Sequence, residues 1–165
     1  MTYTLIDSVT LGSSASSVTF SSLDTIAAGY RDLVLVMKPK RLGSEGNWLI
    51  TFNNDTNYND NYFGVGMYGT GASAGSWLPS GNNYKLNLDP QGFGATYMYV
   101  TSILDFATTD KHKSFLNRMN DANSQTVAGA YRWASTSAIT TLKLHFFADS
   151  LINSGSTFYL YGIEA

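Results

Sequence analysis

Apolar and polar residues alternate with period two along most of this chain, and such alternation is typical of β-strands. The strongest run covers residues 30–38, where Leu33 to Met37 are all apolar, as in a central strand buried on both faces. Pro39 cannot donate a ladder hydrogen bond, so it predicts the end of that strand. In all, the pattern predicts about ten strands, in the segments 4–11, 17–21, 30–38, 47–53, 62–68, 84–88, 96–104, 114–119, 126–133, 139–147 and 157–163.

The spacing of these segments predicts the fold class. Strands that follow one another at intervals of roughly 8–15 residues, separated by Gly, Asn, Asp and Ser, favour an antiparallel sandwich or barrel. The best helix candidate, 22–28, is one or two turns long. Charged residues make up only 13% of the chain and just two of them are Glu, so the composition typical of exposed helices is missing. We therefore predict an all-β protein that forms a single domain over residues 1–165.

Two local features refine this prediction. In the first strand Leu5, Asp7, Val9 and Leu11 alternate, so they are predicted to share one face. Residues 69–81 are rich in Gly and Ser and contain Pro79, which indicates an exposed irregular excursion.

Charge and cysteine content exclude several classes of protein. The formal net charge is −2 and the basic residues are scattered, so the stripe of Lys and Arg that binds nucleic acid is missing. No apolar stretch reaches the roughly 20 residues needed to span a bilayer, and the first residues do not resemble a signal peptide. There is no Cys, hence no disulfide framework and no thiolate metal site. We expect a soluble protein without nucleic-acid or membrane partners.

Five segments carry a more specific pattern, in the same order through nearly the whole chain. They are TLIDSVTL at 4–11, SVTF at 17–20, YRDLVLV at 30–36, FNNDT at 52–56 and YLYGI at 159–163. Together they resemble virion structural proteins of tailed bacteriophages. In that family Gly often stands where this chain has Asn54, so the turn there is expected to differ.

The resemblance implies an antiparallel jelly-roll β-sandwich that serves as a capsid decoration (cement) protein or as the knob of a fibre, commonly as a homotrimer. The implied partner is the major capsid protein or a fibre stem, and the implied location is the virion, after synthesis in the bacterial cytoplasm. Decoration is favoured over the fibre because the sequence has no heptad stalk and no collagen-like stem. The family supplies no catalytic or ligand-binding residues.

Two short matches to enzyme motifs lack the context that their chemistry needs. Residues 64–69, GVGMYG, fit G-x-G-x-x-G, but no helix follows them that could bind a pyrophosphate at its N-terminus. Residues 71–75, GASAG, fit G-x-S-x-G, but Ser73 lies in a polar loop instead of between a strand and a helix. His112 and His145 are interpreted as surface or hydrogen-bonded histidines. We therefore predict no catalytic residue, no cofactor and no enzyme.

Carboxylates offer two weaker candidates. Asp55 and Asp60 could provide oxygen ligands for a loose calcium site, although the Gly and Glu that an EF-hand loop requires are missing. A hydrogen-bonded Asx turn explains this loop better, so no metal is predicted. A glycosidase needs two carboxylates about 5–10 Å apart, and Asp105 and Asp110 are close in sequence; hydrolysis ranks last among the hypotheses.

Aromatic residues provide the remaining candidate surface. The chain has eleven Tyr and three Trp, more than the core of a small sandwich needs. Tyr and Trp combine an apolar ring with a hydrogen-bonding group, as subunit interfaces and sugar platforms require. Tyr58, Tyr62, Tyr68 and Trp77 lie in or beside the Asn- and Gly-rich middle of the chain and are predicted as an interaction surface. A glycan-binding module is the alternative function.

Overall fold

The computed structural model describes residues 2–40, 48–77, 97–121, 125–146 and 151–164, which form antiparallel strands and one short helix. The prediction of an all-β sandwich is confirmed. The strands are β1 (Tyr3–Thr10), β2 (Ser17–Phe20), β3 (Tyr30–Lys38), β4 (Trp48–Phe52), β5 (Tyr62–Gly69), β6 (Ala74–Trp77), β7 (Tyr97–Leu104), β8 (Lys113–Asp121), β9 (Thr126–Trp133), β10 (Leu142–Phe146) and β11 (Thr157–Glu164), and the helix is α1 (Leu23–Ile26).

Two sheets form the sandwich. The large sheet has eight strands in the order β1-β11-β3-β7-β8-β9-β5-β6, and the small sheet has three in the order β2-β10-β4. Neighbours in both sheets pair antiparallel. Strands distant in sequence lie side by side, such as β1 beside β11, so long connections cross between the sheets in the manner of a jelly roll.

One hydrophobic core fills the space between the sheets. Aromatic rings from both sheets meet there: the ring centroids of Trp48 in the small sheet and Phe158 in the large sheet lie 6.2 Å apart, and Phe52 packs edge-on against Phe115 at 5.2 Å. Strand β3 contributes Leu33 and Leu35, both fully buried. Burial of such apolar area, at about 25 cal/mol per Å², is the main force that holds the two sheets together.

The predicted single face of the first strand is wrong, because β1 contains a β-bulge. Leu5 pairs with Tyr161, but Asp7 pairs with the next residue along β11, Leu160, so one extra residue is inserted between them. An inserted residue reverses the side on which the following side chains lie. As a result Leu5 is exposed, whereas Val9 packs against the core.

Two other segments differ from the prediction, and a third lies outside the residues that the structure describes. Strand β6 lies within the segment predicted as irregular, where its backbone pairs with β5. Strand β10 begins at Leu142 instead of residue 139, because the N–H groups of Thr140 and Thr141 donate to the Asn53 side chain (2.8 and 3.1 Å) and not to a neighbouring strand. The predicted strand at 84–88 lies outside the described residues.

Several loops meet at one end of the sandwich, which we call the acidic end: residues 21–29, 53–61, 105–112 and 134–141. Backbone hydrogen bonds join them, from Leu23 to Thr140 (3.0 Å) and from Ile139 to Phe106 (2.8 Å). Asn54 has φ +57°, a left-handed conformation that Gly adopts freely and Asn tolerates. The turn at Asn54 therefore has a backbone conformation in which Gly would also fit. The four segments together contain five Asp and one Lys.

Candidate functional site

The outer face of the large sheet, which points away from the small sheet, is unusually apolar. Its exposed side chains come from four strands of the sheet, β1, β5, β7 and β8, and up to 64% of their surface is open to solvent. The two other exposed large apolar residues in the described ranges are Ile26 and Leu151. The exposed apolar side chains of the outer face are Tyr3, Leu5, Phe63, Val65, Met67, Met98, Leu104 and Leu116.

Strand alternation in β7 and β8 explains part of this apolar surface. Thr101 and Asn117 face the core as a cross-strand pair, joined by a 2.9 Å hydrogen bond. Because these polar residues lie inside, their neighbours Val100, Leu116 and Arg118 face outward. Each buried polar group must be hydrogen-bonded, and the Thr101–Asn117 pair meets part of that need. The sheet is therefore partly inverted here, with polar side chains inside and apolar ones outside.

The charges on the outer face are positive. Lys38, Arg118 and Arg132 alternate onto it, and the Arg132 guanidinium lies 4.5 Å above the centre of the Phe63 ring. One carboxylate, Asp32, shares the face within the described ranges; it is buried, accepts from Arg31 at 2.8 Å and from the Asp105 N–H at 2.8 Å. Among the described residues, a ligand of this face therefore meets cations without an accessible carboxylate beside them.

Two shallow depressions lie side by side on the outer face, and Arg118 lines both. The first, about 320 Å³, is bordered by Val34, Val100 and the half-buried Tyr161. The second, about 340 Å³, is bordered by apolar side chains of β5, β8 and β9, including Val65, Met67 and Leu116. Arg118 belongs to β8, near the middle of the large sheet, so its guanidinium is surrounded by apolar groups on both sides.

The four aromatic residues predicted as a surface do not come together as one. Tyr62 is fully buried, so it cannot belong to an exposed surface, and its hydroxyl binds the Phe52 N–H at 3.0 Å. Tyr58 and Tyr68 are half-buried and pack against the core. The side chain of Trp77 lies outside the described part of the chain. An interaction role for Tyr58, Tyr68 and Trp77 stays a prediction.

His145 forms a small polar cluster with two hydroxyls. Its Nε2 lies 3.0 Å from Thr51 Oγ1 and 3.3 Å from Tyr58 Oη, and these two oxygens are 3.2 Å apart. The other ring nitrogen lies 3.2 Å from its neighbour's carbonyl oxygen. Thr51 is buried, so it is not accessible to a substrate. This arrangement confirms the interpretation of His145 as a hydrogen-bonded structural residue.

Asp55 organises its loop and is not arranged as a metal ligand. Its carboxylate accepts hydrogen bonds from Trp133 Nε1 (2.7 Å), Asn61 Nδ2 (2.8 Å) and the Asn57 N–H (2.9 Å), the last of which is the predicted Asx turn. Partial burial acts to raise the pKa of Asp55, but these three hydrogen bonds outweigh it and hold the pKa below its ordinary value. Asp60 is not among its partners. No group of three potential metal-ligating side chains occurs within the described ranges.

The two enzyme-motif matches lie in a plain hairpin. Residues 64–69 belong to β5, and no helix follows them. Ser73 closes the turn to β6 through hydrogen bonds with Thr70, so it is not placed on a nucleophile elbow. Asp105 forms an ion pair with Lys111 at 2.8 Å, and the hydrogen bond from Lys111 holds the pKa of Asp105 below its ordinary value. A general acid needs the opposite shift.

Comparisons with known proteins add no functional information. No protein-family model matches the chain, and no curated protein matches it. Among solved structures, the chain is similar to alginate lyase Aly36B, at 12% identity and a TM-score of 0.39, over 96% of this chain and 81% of that one. A mutant of that lyase in complex with alginate trisaccharide gives 8% identity and a TM-score of 0.34, over 96% and 80%. Likenesses this weak carry no argument about activity or ligand.

Among the described residues, no helix has the length and apolar character needed to cross a membrane.

Proposed function

We propose that this protein is a non-catalytic structural protein of a phage virion, which oligomerises through the outer face of its large sheet and stabilises the capsid shell as a decoration protein. The observation that carries the proposal is the apolar outer face. The sequence segments that resemble phage virion proteins supply the biological setting, and they imply a homotrimer and the major capsid protein as partner.

The size of the apolar surface supports an assembly role. Aromatic side chains have about 150–250 Å² of surface each, and the large aliphatic ones lie near or below the lower end of that range. Eight side chains of these two kinds at about half exposure therefore leave on the order of 700 Å² of apolar area, more than the roughly 300–600 Å² of the largest patch on a typical monomer. Each partner in a standard protein–protein interface buries about 800 Å². The outer face is thus large enough for one stable subunit contact.

The test of the virion role is the copy number of this polypeptide in purified particles, measured by quantitative mass spectrometry against the major capsid protein. A decoration protein is expected in near-stoichiometric amounts. A handful of copies per particle would instead indicate a fibre or tail component, and the decoration proposal would be replaced by the fibre knob. Complete absence from the particles would overturn the virion role.

Glycan binding by the same face is a second candidate function. Tyr161 on β11 lies diagonally opposite Tyr3 on β1, and both residues border one of the depressions next to Arg118. Tyrosine rings stack on sugars, and a guanidinium binds carboxylates of acidic sugars. Screening a glycan array with the purified protein distinguishes the two functions. If the protein binds a glycan and Tyr161→Ala abolishes that binding without changing the melting temperature, the glycan-binding function is favoured.

A further inference from the structure

We infer that the outer face of one copy binds the acidic end of a second copy, head to tail, with Arg118 as the site that receives a carboxylate. This inference rests on the proposed function, because it names the partner surface for the same outer face. It goes beyond that proposal because it assigns two different surfaces to the contact and excludes a symmetric pairing of outer faces.

The position of Arg118 argues against a symmetric contact. Arg118 lies near the middle of the large sheet, with apolar side chains such as Val100 and Leu116 around it. Two outer faces that pair centre to centre about a two-fold axis would bring the two Arg118 side chains together in apolar surroundings. Like charges placed together in an interface oppose association, and the buried Asp32 is already bound by Arg31 and Asp105. The face instead requires a partner that supplies a carboxylate.

A second copy of this chain has such carboxylates at its acidic end. Asp24 and Asp60 are exposed there, and the ion pairs found in the described part of the chain, Arg31–Asp32 and Lys111–Asp105, leave both of them out. Helix α1 also exposes Ile26, one of the large apolar side chains that lie off the outer face. The acidic end thus offers exposed carboxylates and an exposed apolar side chain, which are complementary to Arg118 and Leu116 on the outer face.

Contacts between two different surfaces have a defined consequence for assembly. Such a contact forms a closed ring when its rotation closes and an open filament when it does not. The trimer that the sequence resemblance implies would be a closed ring of three head-to-tail contacts. Both surfaces of every copy are then occupied, which removes the apolar outer face from water.

Photo-cross-linking of the full-length protein tests which surfaces meet. A photoreactive amino acid replaces Leu116, and in the control it replaces Leu151, an exposed apolar residue off the outer face. Mass spectrometry of the cross-linked species identifies the peptide captured from the second copy. We expect peptides from 21–29, 53–61 or 105–112 with the probe at 116. The control at 151 is expected to capture none of them.

Charge reversal provides an independent readout that does not depend on the probe. Arg118→Glu is expected to raise the dissociation constant of the oligomer at least about tenfold, and so is either Asp24→Lys or Asp60→Lys. Combining Arg118→Glu with the effective lysine variant is expected to restore much of the affinity. Lys143→Glu on the small sheet makes the same change of charge away from the contact and is expected to leave the affinity unchanged.

The outcomes separate the inference from the proposed function. An oligomer whose cross-links map to other outer-face strands would be symmetric, which overturns the head-to-tail inference but leaves assembly through this face intact. If Arg118→Glu weakens the oligomer but neither Asp24→Lys nor Asp60→Lys does, the inference is overturned in the same way. A protein that stays monomeric at every concentration would overturn the inference and, with it, self-assembly as part of the proposed function.

Discussion

At the scale of single residues, the Asp55 carboxylate ties its own loop to β9, because it accepts from Asn61 and the Asn57 N–H within the loop and from Trp133 on β9. Asp55→Asn replaces one accepting oxygen with an NH₂ group that must face the other donors. We expect a loss of about 1–3 kcal/mol in the free energy of unfolding, the typical cost of leaving a buried donor such as Trp133 Nε1 without its acceptor. Urea denaturation at pH 7 measures it. An unchanged midpoint and slope would show that the loop does not depend on this carboxylate.

The same carboxylate predicts a pH dependence. The pKa of Asp55 lies below its ordinary value in the folded protein, so the unfolded chain binds its proton at a higher pH than the folded one. The stabilisation is therefore complete above the unfolded value, about 3.9, and is lost as the pH falls through the folded pKa. We expect the stability difference between wild type and Asp55→Asn to narrow from pH 7 to pH 3. A difference that stays constant over this range would contradict the assignment.

Residue by residue, the sequence could predict only the local part of this site. The Asx turn at Asp55 and the left-handed Asn54 follow from short-range preferences of Asn and Asp, so the pattern at 53–57 was informative. Trp133 is 78 positions away from Asp55 in the sequence. That partner follows from the pairing of β5 with β9, which no local signal contains. For the same reason, the local sequence could not show that Tyr62 is buried, and it was predicted to be exposed.

At the scale of strands, the close contact between β3 and β11 gives a second stability prediction. The Tyr30 ring lies directly on Gly162, where an added Cβ would overlap ring atoms. Gly162→Ala must displace the ring, and such overpacking costs about 1–3 kcal/mol. Thermal and urea unfolding measure the loss. Adding Tyr30→Ala to Gly162→Ala removes the obstruction, so the two losses are expected to be less than additive.

Gly12→Ala is the matched control for this variant. No atom lies within 4 Å of the position that its Cβ would occupy. The substitution is expected to leave stability unchanged or to raise it slightly, because Ala restricts the unfolded chain more than Gly does. Equal losses at positions 12 and 162 would show that the Tyr30 contact is not the cause.

Strands were predicted correctly where the alternating pattern was long. The prediction failed where a bulge or a backbone pairing, which the side-chain pattern does not show, decided the structure. The bounds of β3 and β9 agree with the predicted segments 30–38 and 126–133. The bulge in β1 reversed one face, and β6 formed in a Gly- and Ser-rich segment because its backbone pairs with β5. Backbone hydrogen bonds do not require apolar side chains, so a pattern of side chains cannot reveal such a strand.

At the scale of the whole molecule, the sequence predicted the sandwich but not its outer face. Alternation tells which face of a strand is buried only where one face is consistently apolar, and β7 and β8 carry apolar residues on both faces. In β8 the outward residues include Leu116 and the inward ones include Asn117, the reverse of the usual arrangement. Only the pairing of Asn117 with Thr101 across the core shows which side is inside. The strand pairing, and not the sequence pattern, therefore determines which of these residues form the outer face.

Assembly through the outer face is expected to depend on its exposed apolar side chains, such as Leu116. Leu116→Asp places a carboxylate among the apolar side chains of this face, where desolvation of the charge opposes association. The oligomer is expected to shift toward monomer by at least about tenfold in dissociation constant, which corresponds to roughly 1.4 kcal/mol. Because Leu116 is already exposed, the melting temperature of the monomer is expected to change little. Light scattering after size-exclusion chromatography over a range of concentrations measures the shift.

Leu151→Asp is the control, since Leu151 is similarly exposed but lies off the outer face. It introduces the same charge and the same loss of apolar area, so general effects on solubility are equal in the two variants. The outer face is the interface if only the change at 116 weakens assembly. If both variants weaken it equally, the effect comes from net charge and the apolar face is not the contact. If neither does, the subunits meet through another surface, and the exposed side chains of β5, β7 and β8 need a partner other than this chain.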